Sequence, residues 1–376
     1  MRVMVLGAGR VGGAMVRDLA GEFDVAVADL SEASLAALAD VTGVRRVRAD
    51  LADPTEVRRV VADADIVVGA VPGDMGYATV RAVLEAGRDI VDISFFPEDC
   101  FGLDGLARER GRTALVDFGV APGCDNLILG HLTERMERVE RFVCLVGGLP
   151  AVRVWPWEYK AGFSPIDVIA EYTRPARYRR AGTVVTMPAL SEPELIDVPG
   201  VGTLEAFNTD GLRSLLATCD APEMVEKTLR YPGHIEKVRV LREMGLFSPE
   251  AIDAGGVRVR PIDVAARLLF PAWQLAPGEE DLTVLRVTVE GVEGGRRACR
   301  TYDMLDRYDR ATGITSMART TGYTCTAGVR LLAARRFRRP GVAPPELVGR
   351  EAGCWEFVRE QLAARGIVFR ESVEPL

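Results

Sequence analysis

The chain has 376 residues, 48% hydrophobic and 27% charged, which is the composition of a soluble globular protein with room for two or three domains. A net charge of −7 argues against nucleic acid or an anionic membrane as a partner, and neither a stretch of about 18 apolar residues nor a signal-peptide pattern is seen. Seven cysteines without a Cys-x-x-Cys pair and only two histidines favour a reducing, cytoplasmic compartment and no metal site.

The N-terminal segment predicts a dinucleotide-binding turn. Residues 3–6 are apolar, Gly-Ala-Gly-Arg-Val-Gly follows at once, and apolar residues then recur at helical spacing. In this G-x-G-x-x-G arrangement the glycines allow a tight turn, a close approach to a pyrophosphate and close packing of helix on strand. The helix N-terminus would present N–H groups to the phosphates. The predicted pyrophosphate-binding residues are Gly7, Gly9, Arg10, Val11 and Gly12.

Asp29 is predicted to select the cofactor. A second strand, residues 24–28, ends at Asp29, where a carboxylate accepts hydrogen bonds from the 2′-hydroxyl of the adenosine ribose. The same carboxylate would repel the 2′-phosphate of NADP, and residues 30–32 contain no arginine to bind that phosphate. We therefore predict NAD as the cofactor.

Residues 1 to about 120 continue as alternating strands and helices, which predicts a Rossmann-type doubly wound parallel sheet in an α/β domain. Further strands are predicted at residues 44–49, 66–71, 90–94 and 114–117, with helices starting after Ser31 and Asp53. Ligands of such sheets lie at the carboxyl ends of the strands. Asp50 is therefore expected near the adenine, and further cofactor contacts are expected from Ala70, Val71, Pro72 and Gly123.

A second, α+β domain is predicted for residues 121–316. Alternation of apolar and polar residues over 282–290 indicates a strand of an antiparallel sheet with one solvated face. Another strand is predicted at residues 140–148, and hairpin turns are predicted at residues 294–295 and 309–313. Helices predicted at residues 320–334 and 352–364 are expected to pack back on the first domain, so that residues 317–376 complete it.

One helix of the second domain brings two carboxylates together. Ser164 and Pro165 have the residue types of a helix start, a hydroxyl cap followed by proline in the first turn. Asp167 and Glu171 then lie four residues apart on one helix face. This face would hold an ammonium group or simply face solvent.

Six further segments carry recognisable motifs. They are Gly147-Gly148-Leu149-Pro150, residues 159–164, Glu171-Tyr172-Thr173, and residues 230–234, 317–324 and 341–346. In this order they resemble the saccharopine dehydrogenase superfamily, and the last two are closest to the NAD-dependent lysine 6-dehydrogenases. The resemblance implies NAD-dependent oxidation of the ε-amine of lysine, or of a similar amino-acid or polyamine-like substrate, to a semialdehyde that cyclises. It also implies a homodimer or a larger homo-oligomer built through the second domain.

One segment departs from the lysine 6-dehydrogenase pattern. Where those enzymes tend to have Gly and His, this chain has Ser94 and Phe95, which resemble the serine–aromatic pair of saccharopine reductases, as does Lys160. A saccharopine- or carboxynorspermidine-type dehydrogenase of a secondary amine is therefore the alternative, with Lys160 binding an additional carboxylate. A protein that binds NAD without turnover is a further alternative.

The expected chemistry requires a proton acceptor. Hydride leaves a carbon that bears a neutral amine, whereas a free alkylamine has a pKa of about 10.4. His234 is the predicted acid–base group, with a purely structural histidine as the alternative, and Glu171 and Asp92 are further candidates. Arg213 is predicted to bind the α-carboxylate, with a structural ion pair as the alternative. The remaining predicted substrate-binding residues are Ser94, Phe95, Tyr159, Lys160, Tyr172, Asn208 and Asp210.

Overall fold

The computed structural model describes residues 1–162 and 165–376, with Pro165 and Ile166 described by their backbone alone. The first domain alternates strands and helices, and the predicted α/β class is confirmed. Its elements are β1 (Arg2–Leu6), α1 (Arg10–Leu19), β2 (Asp24–Asp29), α2 (Glu32–Ala36), β3 (Arg45–Arg48), α3 (Pro54–Val61), β4 (Ile66–Gly69), α4 (Gly73–Glu85), β5 (Asp89–Asp92), α5 (Asp104–Glu109) and β6 (Thr113–Leu115).

Two of these helices begin at side chains that cap them. The Ser31 hydroxyl accepts the Ser34 N–H at 3.2 Å before α2, and the Asp53 carboxylate accepts the Thr55 N–H at 2.8 Å before α3. Each bond satisfies a backbone donor that has no partner inside its helix. Both predicted helix starts are confirmed.

The first sheet has seven parallel strands in the order β17-β6-β5-β4-β1-β2-β3, where β17 (Gly341–Ala343) comes from the C-terminal part of the chain. The strand order reverses between β1 and β4, which is the switch point at which ligands of doubly wound sheets bind. The glycine turn after β1 and the loop after β4 therefore meet at one edge of the sheet.

The second domain is built on a mixed nine-stranded sheet. Its elements are α6 (Cys124–Thr133), β7 (Arg138–Pro150), α7 (Pro165–Thr173), β8 (Ala176–Arg180), β9 (Thr183–Met187), β10 (Glu194–Val198), β11 (Gly202–Asn208), α8 (Leu215–Thr218), β12 (Glu223–Arg230), α9 (His234–Glu243), β13 (Ile252–Ala254), β14 (Val257–Val259), α10 (Pro261–Trp273), β15 (Asp281–Glu293) and β16 (Arg296–Arg307). The predicted helix cap at Ser164 lies outside the described residues.

The order of the main strands in this sheet is β10-β11-β12-β7-β15-β16-β18, where β18 (Phe369–Pro375) comes from the C-terminal part of the chain, and β8 and β9 are attached beside β12. The alternating strand β15 has antiparallel neighbours on both sides, and the predicted turn at Gly294 and Gly295 joins it to β16. One pair departs from the antiparallel prediction, because β12 runs parallel to β7. This parallel pair places the carboxyl end of β12 beside that of β7.

The C-terminal part contains α11 (Ser316–Ala333), α12 (Pro345–Gly349), α13 (Cys354–Ala363) and β18 (Phe369–Pro375). Arg330 on α11 pairs with Asp18 on α1 at 2.8 Å, so this helix packs on the first domain as expected. The last strand departs from the expectation, since β18 pairs with β16 and extends the second sheet. Pairing satisfies backbone N–H and C=O groups that an edge strand would leave open. No helix in the described part of the chain is long and apolar enough to cross a membrane.

Candidate active site

A cavity of about 980 Å³ lies between the two domains at the carboxyl edge of the first sheet. One wall is formed by the loops that follow β1, β2, β4 and β5. The opposite wall is formed by α7, by one face of β12 and by residues 209–211. A cavity of this size is typical of a cofactor and substrate site.

The glycine turn fits a bound pyrophosphate. Gly7 has φ +106°, and a Cβ added there would lie 2.4 Å from the carbonyl oxygen of Ala70. A Cβ on Gly12 would lie 2.0 Å from the carbonyl oxygen of Gly7, so the helix packs directly on the turn. A Cβ on Gly9 would meet nothing within 4 Å, and Gly9 lines the cavity. The backbone is therefore open to a ligand at the N-terminus of α1.

The Asp29 carboxylate is held in place at the cavity wall. One of its oxygens accepts the Ala8 N–H at 2.6 Å, and the other accepts the Ser31 N–H at 2.7 Å. These bonds fix an acid where the ribose of a dinucleotide would lie. The other cavity-lining residues among the predicted cofactor contacts are Arg10, Val11, Asp50, Ala70, Val71 and Pro72.

Gly123 does not line the cavity, in contrast to its prediction as a cofactor contact. Its φ is +149°, and its N–H donates to the Asp125 carboxylate at 2.9 Å. A Cβ there would lie 1.8 Å from the carbonyl oxygen of Gly119, so the position requires glycine to close a tight turn. Residues 119–122, which precede it, line the cavity instead.

Among the predicted catalytic and substrate-binding residues, the catalytic candidate Glu171 and the substrate candidates Ser94, Phe95 and Asp210 line the cavity. The Ser94 backbone and hydroxyl both donate to Asp92, which itself lies behind the wall. Burial raises the pKa of Asp92 to about 7, although the bonds from Ser94 oppose this shift. Asp92 is thus a positioning residue for Ser94, because it does not reach the cavity.

An ion pair between Glu171 and Arg230 forms part of the cavity wall that the second domain supplies, which we call the substrate half of the site. The Arg230 guanidinium lies 2.7 Å from the Glu171 carboxylate, and its Cζ lies 4.5 Å from the centroid of the Tyr159 ring. Its Nε also donates to the Tyr172 hydroxyl at 3.2 Å. Tyr159 and Tyr172 are buried behind Arg230 and hold it, but neither lines the cavity. Burial raises the pKa of Glu171, against the effect of Arg230.

Three polar residues on one face of β12 had no role assigned from the sequence, although Arg230 belongs to the motif at residues 230–234. Glu226, Thr228 and Arg230 alternate along the strand, and all three line the cavity. The spacing of two residues is the signal that would have found them, since alternate residues of a strand share a face. A further residue that was missed, Arg174, follows directly after the end of α7 and also lines the cavity.

Arg213 does not reach the cavity. Its Nε donates to the Asp117 carboxylate at 2.7 Å, and both side chains are almost fully buried. Its Cζ also lies 4.6 Å from the centroid of the Phe95 ring. The geometry is that of the structural ion pair that was the alternative, because Asp117 already occupies the guanidinium. Arg213 ties residues 209–213 to the carboxyl edge of the first sheet.

Lys160 and Asn208 also lie outside the cavity. The Lys160 ammonium donates to the Gln274 carbonyl oxygen at 3.1 Å and lies 3.4 Å from the Glu279 carboxylate. The Asn208 amide is 3.0 Å from the Glu192 carboxylate and is fully buried. Neither side chain is placed to bind an additional substrate carboxylate.

His234 lies behind the cavity wall, at the start of α9. Its Nδ1 is 2.8 Å from the Trp157 carbonyl oxygen, and its Nε2 is 2.9 Å from the Tyr172 hydroxyl. Burial, together with the nearby Arg230, lowers the pKa of His234 to about 3. Both ring nitrogens are engaged and the ring is 1% exposed, so the geometry favours the structural alternative over an acid–base role.

We expect His234→Ala to destabilise the protein by about 1–3 kcal/mol, because it removes one of the two hydrogen-bond partners of the buried Tyr172 hydroxyl. The pH dependence of kcat should not change, since a histidine whose pKa is about 3 stays neutral at working pH. Urea denaturation and kcat profiles normalised to the folded fraction measure the two effects. If kcat of the wild type rises with pH near neutrality and that rise is absent in His234→Ala, His234 is the acid–base group.

Two family models match nearly the whole chain. Residues 3–115 match the model described as the saccharopine dehydrogenase NADP binding domain, and residues 119–367 match the saccharopine dehydrogenase C-terminal domain.

Curated relatives include the saccharopine dehydrogenase [NADP(+), L-glutamate-forming] of Saccharomyces cerevisiae, which is 27% identical over 66% of this chain and 59% of that enzyme. The α-aminoadipic semialdehyde synthase of Arabidopsis thaliana is 25% identical over 56% of this chain and 21% of its own length. The chain therefore spans less than two thirds of either relative. The carboxyaminopropylagmatine dehydrogenase of a Synechocystis species is 22% identical over 91% of both chains.

Solved structures share the fold. The apo saccharopine dehydrogenase (L-Glu forming) of Saccharomyces cerevisiae superposes with a TM-score of 0.80, 20% identity and 99% coverage of both chains. A homospermidine synthase of Legionella pneumophila in complex with NAD has a TM-score of 0.68 at 12% identity, covering all of this chain and 91% of the other.

Proposed function

Because the chain belongs to the saccharopine dehydrogenase family, we propose that it is an oxidoreductase that acts on a carbon–nitrogen bond of an amino acid. The proposed substrate is lysine or a close analogue, whose ε-amine is oxidised to the semialdehyde, and the proposed cofactor is NAD.

The charges of the substrate half carry this proposal. The second-domain residues that line the cavity include four carboxyl groups and two guanidinium groups, namely Asp167, Glu171, Asp210, Glu226, Arg174 and Arg230. Lysine, with one carboxylate and up to two ammonium groups, suits such a wall. Saccharopine carries more carboxylates and would require further cations, and Lys160, the residue considered for this task, lies outside the cavity.

Arg174 is the proposed anchor of the substrate carboxylate. It lines the cavity, its Cζ lies 4.7 Å from the centroid of the Phe95 ring, and it forms no ion pair with a carboxylate in the described part of the chain. Arg230 is already neutralised by Glu171 at 2.7 Å. A stacked guanidinium without an acidic partner offers two parallel N–H donors to a carboxylate.

The chain's own residues divide the remaining work. The glycine turn and Asp29 would hold a dinucleotide, which when bound accepts the hydride from the carbon beside the amine. Helix α7 covers the opposite side, since a Cβ on Gly73 would lie only 3.0 Å from an Asp167 oxygen. Closing the cavity in this way excludes water and favours loss of the ammonium proton before hydride transfer.

NAD is supported by the fixed carboxylate of Asp29. We expect the double variant Asp29→Ala, Leu30→Arg to shift the preference toward NADP by at least ~10-fold, or about 1.4 kcal/mol, because it removes a repulsive charge and adds a phosphate partner. Leu30 lines the cavity beside Asp29, so the new side chain starts at the right position. The measurement is kcat/KM for both nucleotides, with Leu30→Arg alone as the control. A wild-type enzyme that already prefers NADP would contradict the assignment.

The test of the proposed function is NADH formation, followed by absorbance, with lysine, cadaverine and saccharopine at alkaline pH. Lysine should be oxidised and saccharopine should not. Cadaverine lacks the carboxylate and should therefore show a raised KM. Arg174→Gln should raise KM for lysine and leave cadaverine unaffected, which reports the carboxylate contact directly. Preferential oxidation of saccharopine would reject the lysine proposal.

A secondary amine with a cationic arm is the second candidate. It is supported by the carboxyl-rich wall, and by the match to a carboxyaminopropylagmatine dehydrogenase over 91% of both chains. Carboxyalkylated polyamines added to the same panel distinguish it from lysine. Calorimetric NAD binding without turnover of any amine would favour the non-catalytic alternative.

A further inference from the structure

Glu226 is a buried carboxyl group that faces the cavity without a cationic partner. It lies on β12, is 4% exposed and forms no ion pair in the described part of the chain. Its Oε2 accepts the Thr209 hydroxyl at 2.5 Å, and that hydroxyl lies 2.9 Å from the Thr228 hydroxyl. No hydrogen bond among the described residues reaches its second oxygen, which leaves that oxygen to a ligand.

The segment packed on Glu226 is tied to the reacting end of the cavity. A Cβ on Gly211 would lie 2.4 Å from the Glu226 carboxyl group, so this segment lies directly against it. Two residues later, Arg213 pairs with Asp117, which follows β6, and stacks on the Phe95 ring. Glu226 is thereby held near the loops at the carboxyl edge of the first sheet, where a nicotinamide ring would lie.

The groups around Glu226 favour its protonated form. Asp125 on α6, Glu171 on α7 and Asp210 on the adjacent segment all act electrostatically on Glu226, which in turn acts on the Cys144 thiol of β7. Burial and then these carboxylates raise the pKa of Glu226 to about 8, against the hydrogen bond from Thr209. Its affinity for a proton therefore lies between those of an ordinary carboxylate and an alkylammonium.

The other cavity-lining carboxyl groups of the second domain have assigned partners. Glu171 is paired with Arg230, and both Asp210 oxygens are bound by the Arg177 guanidinium at 2.9 Å. Asp167 also has a partner. Guanidinium groups thus neutralise Glu171 and Asp210, whereas no cation pairs with Glu226 among the described residues.

We propose that Glu226 accepts the proton that the substrate ammonium must lose, an inference that rests on the proposed amine oxidation. An N–H bond of the ammonium breaks, an O–H bond forms on Glu226, and the carboxylate becomes neutral. The freed nitrogen lone pair then forms the C=N bond as the neighbouring carbon transfers its hydride to the nicotinamide dinucleotide. Water then adds to the iminium carbon and the nitrogen leaves as ammonium, while the two electrons of the oxidation have left with the hydride.

The first test is Glu226→Gln, which keeps the size of the side chain and removes the proton acceptor. With lysine, kcat should fall by about 10²- to 10⁴-fold. The wild-type kcat should rise with pH through about 8, where Glu226 ionises, and this limb should vanish in the variant. The matched control is Glu346→Gln, because Glu346 is 1% exposed, hydrogen-bonded to Asn126 and Thr218, and outside the cavity. It should keep both kcat and the limb.

Stability provides a readout that needs neither cofactor nor turnover. The pKa of Glu226 is raised in the folded state, so the unfolded chain ionises first as pH rises from about 4.5 to 8, and the native protein loses stability over that window. Glu226→Gln has no such linkage, and its Tm relative to wild type should increase across the same window. A constant Tm difference overturns the proposed titration.

A milder variant guards against failure of Glu226→Gln to fold. Thr209→Val removes the hydrogen bond that stabilises the charged carboxylate and keeps Glu226 itself. The rise of kcat with pH should then move to higher pH. Glu226 is rejected as the acceptor if Thr209→Val leaves the pH dependence of kcat unchanged and Glu226→Gln retains the wild-type kcat. The proposed function would stand in that case, provided that the wild type oxidises lysine. Absence of amine oxidation by the wild type rejects both.

Discussion

Replacing Gly9 with valine should strongly weaken dinucleotide binding while the protein remains folded. The space beside Gly9 is open, since a Cβ there meets nothing within 4 Å, and that space belongs to the cavity. An isopropyl group would occupy the position of the pyrophosphate and leave the rest of the turn unchanged. We expect at least ~100-fold weaker NAD binding, about 2.7 kcal/mol, measured by calorimetry.

Gly13→Ala is the matched control for this experiment. Gly13 lies on the same helix, and a Cβ there makes ordinary contacts, the nearest at 3.7 Å to Leu38. NAD binding should be retained, and stability should rise slightly because alanine is the better helix former. An unchanged NAD affinity in Gly9→Val would contradict the assignment of the first domain as the cofactor domain.

Arg213→Met should destabilise the protein by about 3–5 kcal/mol. It leaves the Asp117 carboxylate, 2% exposed, buried without its 2.7 Å partner, and an uncompensated buried charge is costly. Urea denaturation measures the loss. The double variant Asp117→Asn, Arg213→Met should recover much of it, because asparagine is neutral and tolerates the φ of +55° at this position.

The same variant separates the two interpretations of Arg213. If the guanidinium bound the substrate carboxylate, Arg213→Met would raise KM for lysine and cost little stability. If it holds residues 209–213 on the first sheet, the main effect is on unfolding. The double variant would then restore stability by removing the charge, which a substrate contact could not explain.

The cofactor half of the site was predictable because its determinants are local. A strand, three glycines and a helix N-terminus follow one another within a short segment, and Gly7, Gly9 and Gly12 each have the spatial role that their spacing predicts. Asp29 ends the neighbouring strand, and strand order in a doubly wound sheet brings that end beside the turn. The prediction of Gly123 as a cofactor contact was wrong, because a glycine after a strand also serves simply to turn the chain.

The substrate half was predicted less well, because a single motif does not tell whether a side chain lines the cavity or is buried behind its wall. His234 and Glu226 each lie four residues from Arg230 in the sequence, but His234 contacts a buried aromatic residue whereas Glu226 lines the cavity. The direction is set by the pairing of β12 with β7, between residues far apart in the chain. The alternating polar residues of β12 were visible in the sequence. They indicate a binding surface only when one face of the strand is known to line a cavity.

The sequence by itself determined the fold class, the dinucleotide-binding turn and the family resemblance, because these depend on short-range patterns of apolar residues, glycines and helix caps. Tertiary structure alone decided that Arg213 forms an ion pair with Asp117, that Lys160 lies outside the cavity and that β18 completes the second sheet. Each of these depends on which distant group satisfies a buried charge or an open strand edge. That choice is made by the packing of the whole chain rather than by its local sequence.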